Sequence, residues 1–359
     1  PTGIGVCVGE LAAGLATRSD VAVRAFAVSA RGRGRLRDVV PDGVAVRSRA
    51  VPARLARTLW LRGDWPTSDL LAGPTDVVHG PNYVVPPGGA AAEVVTVSDL
   101  SAIHHPEMCT ADVLQWPPLL ERALQRGAWV HTISEWVGDE VRGLHPAHAD
   151  RVVAVPLGIR RPPPPTAASR AERGRHLAGG GRFVLALGTV EPRKELPALV
   201  AAFDAIAAED PEVRLVLAGP DGIGAAALTR AIDRAHHRRR IRRLGWVDDD
   251  QRLALLRGAS VVAYASRYEG FGLVPLEAAA AGTPVVAPDA GPLGEALGDG
   301  GLLVPPGDVD ALSGALARVL ADPRLAGELV DRANRRVDAY TWDATVEGVM
   351  ARYRRAAGR

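Results

Sequence analysis

Twelve short runs rich in Val, Leu and Ala punctuate the chain, and between them lie longer Ala/Leu stretches with helical spacing. In the first half the runs are VAVRAFAV (21–28), VAVRSRAV (44–51), DVVHG (76–80), EVVTVSD (93–99), WVHTIS (129–134) and RVVAVPLG (151–158). The second half repeats the scheme with FVLALGTV (183–190), VRLVLAGP (213–220), IRRLGWV (241–247), SVVAYAS (260–266), PVVAPDA (284–290) and GLLVPPG (301–307). Continuous apolar runs of this length, separated by helical patterns, mark parallel strands buried on both faces and joined by right-handed crossovers. The pattern predicts an α/β fold of two successive Rossmann-like, doubly wound domains.

At 359 residues the chain exceeds what one core usually supports, which agrees with two domains. The expected boundaries are 1–158 for an N-terminal domain and 183–340 for a C-terminal one. Between them, RRPPPPTAASRAERGRHLAGGGR carries four consecutive prolines and a glycine triplet without apolar periodicity, so 159–182 reads as an exposed linker. In the helix after LGTVEPRK, Leu196, Leu199, Phe203 and Ile206 recur at helical spacing and are assigned to the core. A final helix over 341–359 places Trp342, Val346, Val349 and Tyr353 on one side, and a crossing back to the N-terminal domain is one placement for it. The N-terminal TGIGVCVGELAAGL reads as a Gly-rich turn entering a helix with no strand before it; that strand either lies upstream of Pro1 or is not used. Open α/β sheets bind ligands beyond the carboxyl ends of their strands, so an interdomain cleft is the expected active site.

Composition narrows the class further. Two cysteines, Cys7 and Cys109, supply neither a disulfide framework nor metal-ligand spacing, and no apolar stretch reaches the ~18 residues that span a bilayer. A cytoplasmic enzyme is the expectation, with association at the inner membrane face left open. The formal charge is +2, yet of 43 basic residues only Lys194 is a lysine. Where arginine has replaced lysine almost everywhere, the one retained points to a need for a compact ammonium, which binds phosphate as a point charge.

The stretch SRYEGFGLVPLEAAAAGTPVV (266–286) sets Glu269 and Glu277 on either side of a glycine-rich loop that runs into a helix. A loop-to-helix junction offers unpaired N–H groups and the positive end of the helix dipole, so it favours anions over metal cations. Ionised carboxylates only accept hydrogen bonds, so two beside such a junction suit hydroxyl groups. A ligand with phosphates in the middle and a polyol at each end has the layout of a nucleotide sugar.

With these residues in view, the chain resembles the family 4 retaining glycosyltransferases of GT-B architecture over nearly its whole length. The E-x7-E stretch from Glu269 to Glu277, the following AAAAGTPVVA and the upstream GTVEPRKELPALVAAF carry the resemblance. It implies that Glu269 contacts donor-sugar hydroxyls, that the backbone at Gly270, Phe271, Gly272 and Leu273 meets the sugar and diphosphate, and that Glu277 holds the ribose. Gly188 falls at the family's strand end, and Lys194 with Arg193 where the family has its phosphate-binding cations; many relatives carry a further arginine where this chain has Thr189. A surface salt bridge is the other reading of Arg193. Gly3 and Gly5 resemble the family's glycine turn on the opposite side of the diphosphate. The family's His-Asp pair is here Ser98-Asp99, so His79, His104 or His105 compensates or catalysis has changed, and Asp99 is a cleft candidate or a helix cap.

The resemblance implies a hexosyltransferase that moves a sugar from a nucleoside diphosphate donor to a hydroxyl acceptor, a glycan, lipid-linked glycan or small molecule, with no metal and no cofactor beyond that donor. A nucleotide-sugar epimerase and a non-catalytic nucleotide-sugar-binding homologue are the competing readings. HHRRRIRR (236–243) lacks the aromatic interleaving of a nucleic-acid site and reads as a solvated helix end. RGRGRLR (31–37) is a surface loop or a contact for an anionic or membrane-bound acceptor, and Asp248-Asp249-Asp250 a helix start.

Overall fold

A strand falls on each of the twelve apolar runs in the computed structural model, which describes residues 3–29, 36–47, 49–163 and 168–359. The basic loop 31–37 lies outside the described residues up to 35. The chain divides into two compact units, Pro1–Gly158 with Tyr340–Arg359, and Ile159–Ala339.

In the first unit, β1 (Arg24–Ala25) and β2 (Ala45–Val46) form a small parallel pair. β3 (Val77–Gly80), β4 (Ala92–Val97), β5 (Trp129–Thr132) and β6 (Val152–Ala154) form a parallel sheet in that order. Among the described residues no strand precedes the first helix, Gly3–Ala16, and the two sheets are not joined. Helix Trp342–Ala356 belongs to this unit, with Val346 and Met350 packed on Leu15 of the first helix. Its approach is close, since a β-carbon on Gly14 would come within 2.5 Å of Val346 Cγ2. The sequence reading differs at the other end of this helix. Gly3 and Gly5, both exposed, form its first turn rather than a turn before it, the roughly 1 kcal/mol helix cost of each glycine being offset further along, where Leu11 and Leu15 pack with Val346 and Met350.

The second unit contains β7 (Phe183–Leu187), β8 (Arg214–Ala218), β9 (Ile241–Gly245), β10 (Val261–Ala263), β11 (Val285–Pro288) and β12 (Leu302–Val304). Their order is β12-β11-β10-β7-β8-β9, all parallel. Alternate residues of β7 feed two cores: Val184 and Ala186 pack with Leu199 and Phe203, while Phe183, Leu185 and Leu187 pack with Leu255 and Leu293. Both faces are therefore dry, which is why the run is apolar without alternation. Leu196, Leu199, Phe203 and Ile206 are all buried, each contributing about 1.5–3 kcal/mol by leaving water.

The expected linker 159–182 is corrected by helix Ala168–Ala178, whose Ala178 lies in the second core. A β-carbon on Gly174 would come within 2.0 Å of the Ala254 carbonyl oxygen, and one on Gly258 within 2.7 Å of the Ala171 oxygen. Two helices thus cross backbone to backbone at glycines. No apolar side chain is needed there, so hydrophobic periodicity gives no signal of the helix.

The order in which strands are added to the second sheet reverses between β7 and β10, which are parallel neighbours although two strands separate them in sequence. At such a switch point the loops leaving the two strands diverge to opposite faces and open a crevice at their carboxyl ends. The segments 188–195 and 264–272 are those loops.

Candidate functional site

The loop after β7 turns at Gly188 (φ 131°), whose N–H donates to the Ala218 carbonyl at 2.9 Å. Gly219 has to be glycine, because a β-carbon there would lie 2.0 Å from the Gly188 oxygen. Pro192–Lys194 then makes one 3-10 turn, and Glu195 enters helix Leu196–Glu209 at φ 49°, a left-handed conformation uncommon for a side-chain-bearing residue. Two bonds hold it: Arg267 donates its backbone N–H to the Arg193 carbonyl at 2.8 Å and its guanidinium meets Glu195 Oε1 at 3.0 Å. The loop from β10 is thereby tied to the loop from β7.

Between these loops Lys194 is buried, with its Nζ donating to Glu269 Oε1 at 2.7 Å and to the Tyr264 hydroxyl at 2.8 Å. The ammonium also lies 4.6 Å from the centre of the Tyr264 ring. Arg193 donates to the same Glu269 oxygen at 2.5 Å and to Glu191 Oε2 at 2.9 Å. Burial pushes the Glu269 carboxyl up, but the charges of Lys194 and Arg193 more than offset it and hold the group at about 2. Burial also lowers Lys194, and the neighbouring Arg193 charge adds to that against the pull of Glu269. The cluster thus sets two cations against two carboxylates, Glu269 shared by both and Glu191 on Arg193, and concentrates fixed charge at the mouth of the two loops. Gly188, Lys194, Gly219, Arg243 and Gly245 line one small cleft at this edge of the sheet.

The other expected residues fall as follows. Gly272 caps helix Leu273–Ala280 at φ 101°, and a β-carbon on it would sit 2.9 Å from Leu293 Cδ2, so both conformation and space require glycine. Gly270 and Phe271 are buried in the loop before it, and Leu273 opens the helix. Glu277 is not in the Lys194 cluster; its Oε2 accepts from Arg252 of helix Asp249–Gly258. Asp248 starts that helix with a reciprocal capping box to Gln251, which accounts for the acidic triplet.

In the first unit, Asp99 Oδ1 accepts from the backbone N–H of Ser101 at 2.9 Å and from its hydroxyl at 2.6 Å, fixing the entry to helix Ser101–His104. His79 is no stand-in for a catalytic histidine. It is half-buried in the sheet, with its Nδ1 2.6 Å from the Tyr353 hydroxyl and its Nε2 2.7 Å from Thr96 Oγ1. His104 lies 3.1 Å from Glu140, and His105 3.6 Å from Glu107. Tyr264 and Arg252 escaped the sequence reading; the sole signal for Tyr264 was a hydroxyl-bearing ring at the end of an otherwise apolar strand. Among the described residues no three His, Cys, Asp or Glu side chains gather so as to hold a metal ion, and no helix is long and apolar enough to cross a membrane.

Two family models match. Residues 2–158 fit the glycosyl transferase 4-like domain and residues 169–336 the group 1 glycosyl transferases. The chain is 31% identical over 272 residues to the O-antigen chain mannosyltransferase B of Escherichia coli, covering 74% of this chain and 71% of that protein. It is 38% identical over 184 residues to a phosphatidyl-myo-inositol mannosyltransferase of Mycolicibacterium smegmatis, spanning 50% of this chain and 46% of the other. The fold is that of HepE from Anabaena, solved with UDP and glucose, at a TM-score of 0.74 and 18% identity over 98% of this chain and 95% of that one.

Proposed function

Starting from a chain that belongs to the family 4 glycosyltransferases of GT-B architecture, we propose that the crevice at the β7–β10 switch point binds the diphosphate of a nucleoside diphosphate sugar and that the enzyme transfers the sugar to a hydroxyl acceptor with retention. The carrying observation is the cluster in which buried Lys194 and its neighbour Arg193 both donate to one oxygen of Glu269. Lys194 has three N–H donors and uses two within the cluster, leaving one for a phosphate oxygen.

As the bond between the sugar's anomeric carbon and the diphosphate oxygen breaks, its electron pair moves onto the diphosphate. Fixed cations at that oxygen stabilise the charge as it develops, without a metal. The acceptor oxygen forms the new bond on the face the diphosphate leaves, and its proton passes to the departing phosphate, so no enzymic nucleophile is required. Glu269 orients the sugar through its hydroxyls, and Glu277 holds the ribose. The named relatives favour transfer over epimerisation. The O-antigen chain in one relative's name and the phosphatidyl-myo-inositol in the other's support a glycan or lipid-linked acceptor; under this proposal the reaction takes place in the cytoplasm or at the inner membrane face.

A panel of UDP-, GDP- and ADP-sugars tests this reading. At least one raises the melting temperature of the wild-type protein and supports transfer or slow donor hydrolysis. No stabilisation by any of the three overturns it.

A further inference from the structure

Lys194 has two hydrogen-bond partners among the described residues, and they differ in kind. Glu269 is charged, whereas the Tyr264 hydroxyl, at 2.8 Å, is neutral. An ammonium has no lone pair, so the phenol oxygen accepts from Nζ and its own proton points elsewhere. Burial first, and the Glu269 charge next, raise that hydroxyl well above its usual range, so it stays protonated. Tyr264 directly follows β10, is 4% exposed and sets its ring centre 4.6 Å from the ammonium. The lysine stem also runs close to Gly188, where a β-carbon would lie 3.5 Å from Lys194 Cε.

A single contact at the tip of a four-carbon stem leaves Nζ free to pivot about it. Two contacts, one from the loop at Glu269 and one from the end of β10, fix both where Nζ sits and where its third N–H points; that N–H has no acceptor among the described residues. We propose that Tyr264 is a positioning residue for the leaving group: its hydroxyl aims the third N–H of Lys194 at the diphosphate oxygen on which charge develops. This rests on the proposed nucleotide-sugar site. Because that charge grows only as the bond to the sugar breaks, correct aim counts for more in the transition state than in the bound donor, and its loss falls on kcat.

Tyr264→Phe tests the role, since the ring stays beside the ammonium and only the hydroxyl goes. The readout is release of nucleoside diphosphate from whichever of UDP-, GDP- and ADP-glucose or -mannose stabilises the wild type. The expected kcat is about tenfold lower, the order of one hydrogen bond to a charged group, with KM within about threefold.

The pH profile separates lost aim from a loosened site. Lys194 faces Glu269 from the loop after β10 and Arg193 and Glu191 from the loop after β7, and Arg243 of β9 lines the same small cleft. All four remain in the variant. An acceptor on the ammonium favours its charged form, so removing the hydroxyl lowers Lys194 further and moves the alkaline limb of kcat to lower pH. A site merely loosened by the substitution would admit water, relieve the burial that already lowers Lys194, and move the limb the other way. An unchanged kcat, a loss carried by KM alone, or a limb that shifts upward overturns the role of Tyr264, while donor cleavage by the wild type leaves the nucleotide-sugar site standing. A wild type that neither binds nor cleaves any of these donors overturns both.

Discussion

The cluster at the carboxyl edge of the six-stranded sheet and the one inside the four-stranded sheet are both buried and hydrogen-bonded, yet only the first holds charge. In the first sheet unit the direction of every bond is fixed by its end point. The Val155 carbonyl can only accept, so His131 Nε2 carries a proton and donates to it at 3.0 Å. His131 Nδ1 must then accept from the Thr96 hydroxyl at 3.0 Å. The Thr96 oxygen accepts from His79 Nε2, and His79 Nδ1 accepts the Tyr353 hydroxyl proton. The relay crosses β3, β4 and β5 and pins helix Trp342–Ala356 to the sheet. Both imidazoles are neutral and use both nitrogens, so nothing is left for a ligand. The Lys194 cluster is the opposite case: it concentrates charge and leaves a donor of Lys194 unused. Saturated and neutral, a buried network specifies structure; charged and unsaturated, it waits for a substrate.

The largest break in that contrast comes from the charged side. Lys194→Met removes the ammonium that faces the leaving diphosphate, and Glu269→Gln leaves two cations without their shared anion. Each lowers turnover about 10²–10³-fold, the range for losing a fixed charge or donor at the reacting group. A fluorescence melt separates loss of chemistry from loss of fold. Unchanged turnover in both variants would remove the cluster from the mechanism.

Thr96→Val makes the matching cut in the neutral relay. It keeps the shape of the side chain but leaves the His79 Nε2 donor and the His131 Nδ1 acceptor buried without partners. At about 1–3 kcal/mol for each orphaned group, the first unit loses roughly 3 kcal/mol in urea unfolding, while nucleotide affinity stays within twofold. A stable variant with weakened nucleotide binding would reverse the roles assigned to the two clusters.

The two clusters were not equally legible. Apolar runs located the twelve strands of the described residues, most plainly inner ones such as β7 and β10, because a strand covered on both faces leaves no other pattern; β1, β2 and β9 have no fully buried residue. Lys194 stood out by composition alone, and the structure sets it on Glu269, 75 residues away. The partners that tune the site were silent. Tyr264 and Arg252 reach Lys194 and Glu277 across 70 and 25 residues, through the register of β10 and the crossing of two helices. His79 drew attention as a histidine at the end of a strand. What makes it structural is the identity of the atoms around it, on β4, β5 and the last helix, which no local spacing encodes. The same holds for Gly174 and Gly258, whose value lies in side chains they lack.

Acid gives a smaller and graded way to tell the clusters apart. Burial lowers His79 from 6.5 to about 3, with the neighbouring His131 adding to the shift, and burial lowers His131 as well. Between pH 6.5 and 3 the unfolded chain therefore holds a proton on His79 that the native protein does not, so stability falls as the pH drops through that window. Glu269 is lowered from 4.5 to about 2, so its contribution is complete above 4.5 and is lost only below it. At pH 5.0 the relay is already opposed by protonation while the charged cluster is intact. For His79 alone the loss from pH 7.5 to 5.0 is about 2 kcal/mol. Tryptophan reports it selectively, since Trp60, Trp65, Trp116, Trp129, Trp136 and Trp342 lie in the first unit and Trp246 alone in the second. In a Trp246→Phe background the urea midpoint should fall between pH 7.5 and 5.0. A midpoint that holds steady across that range would mean the imidazoles are not kept neutral by the fold, and the contrast between the clusters would lose its basis.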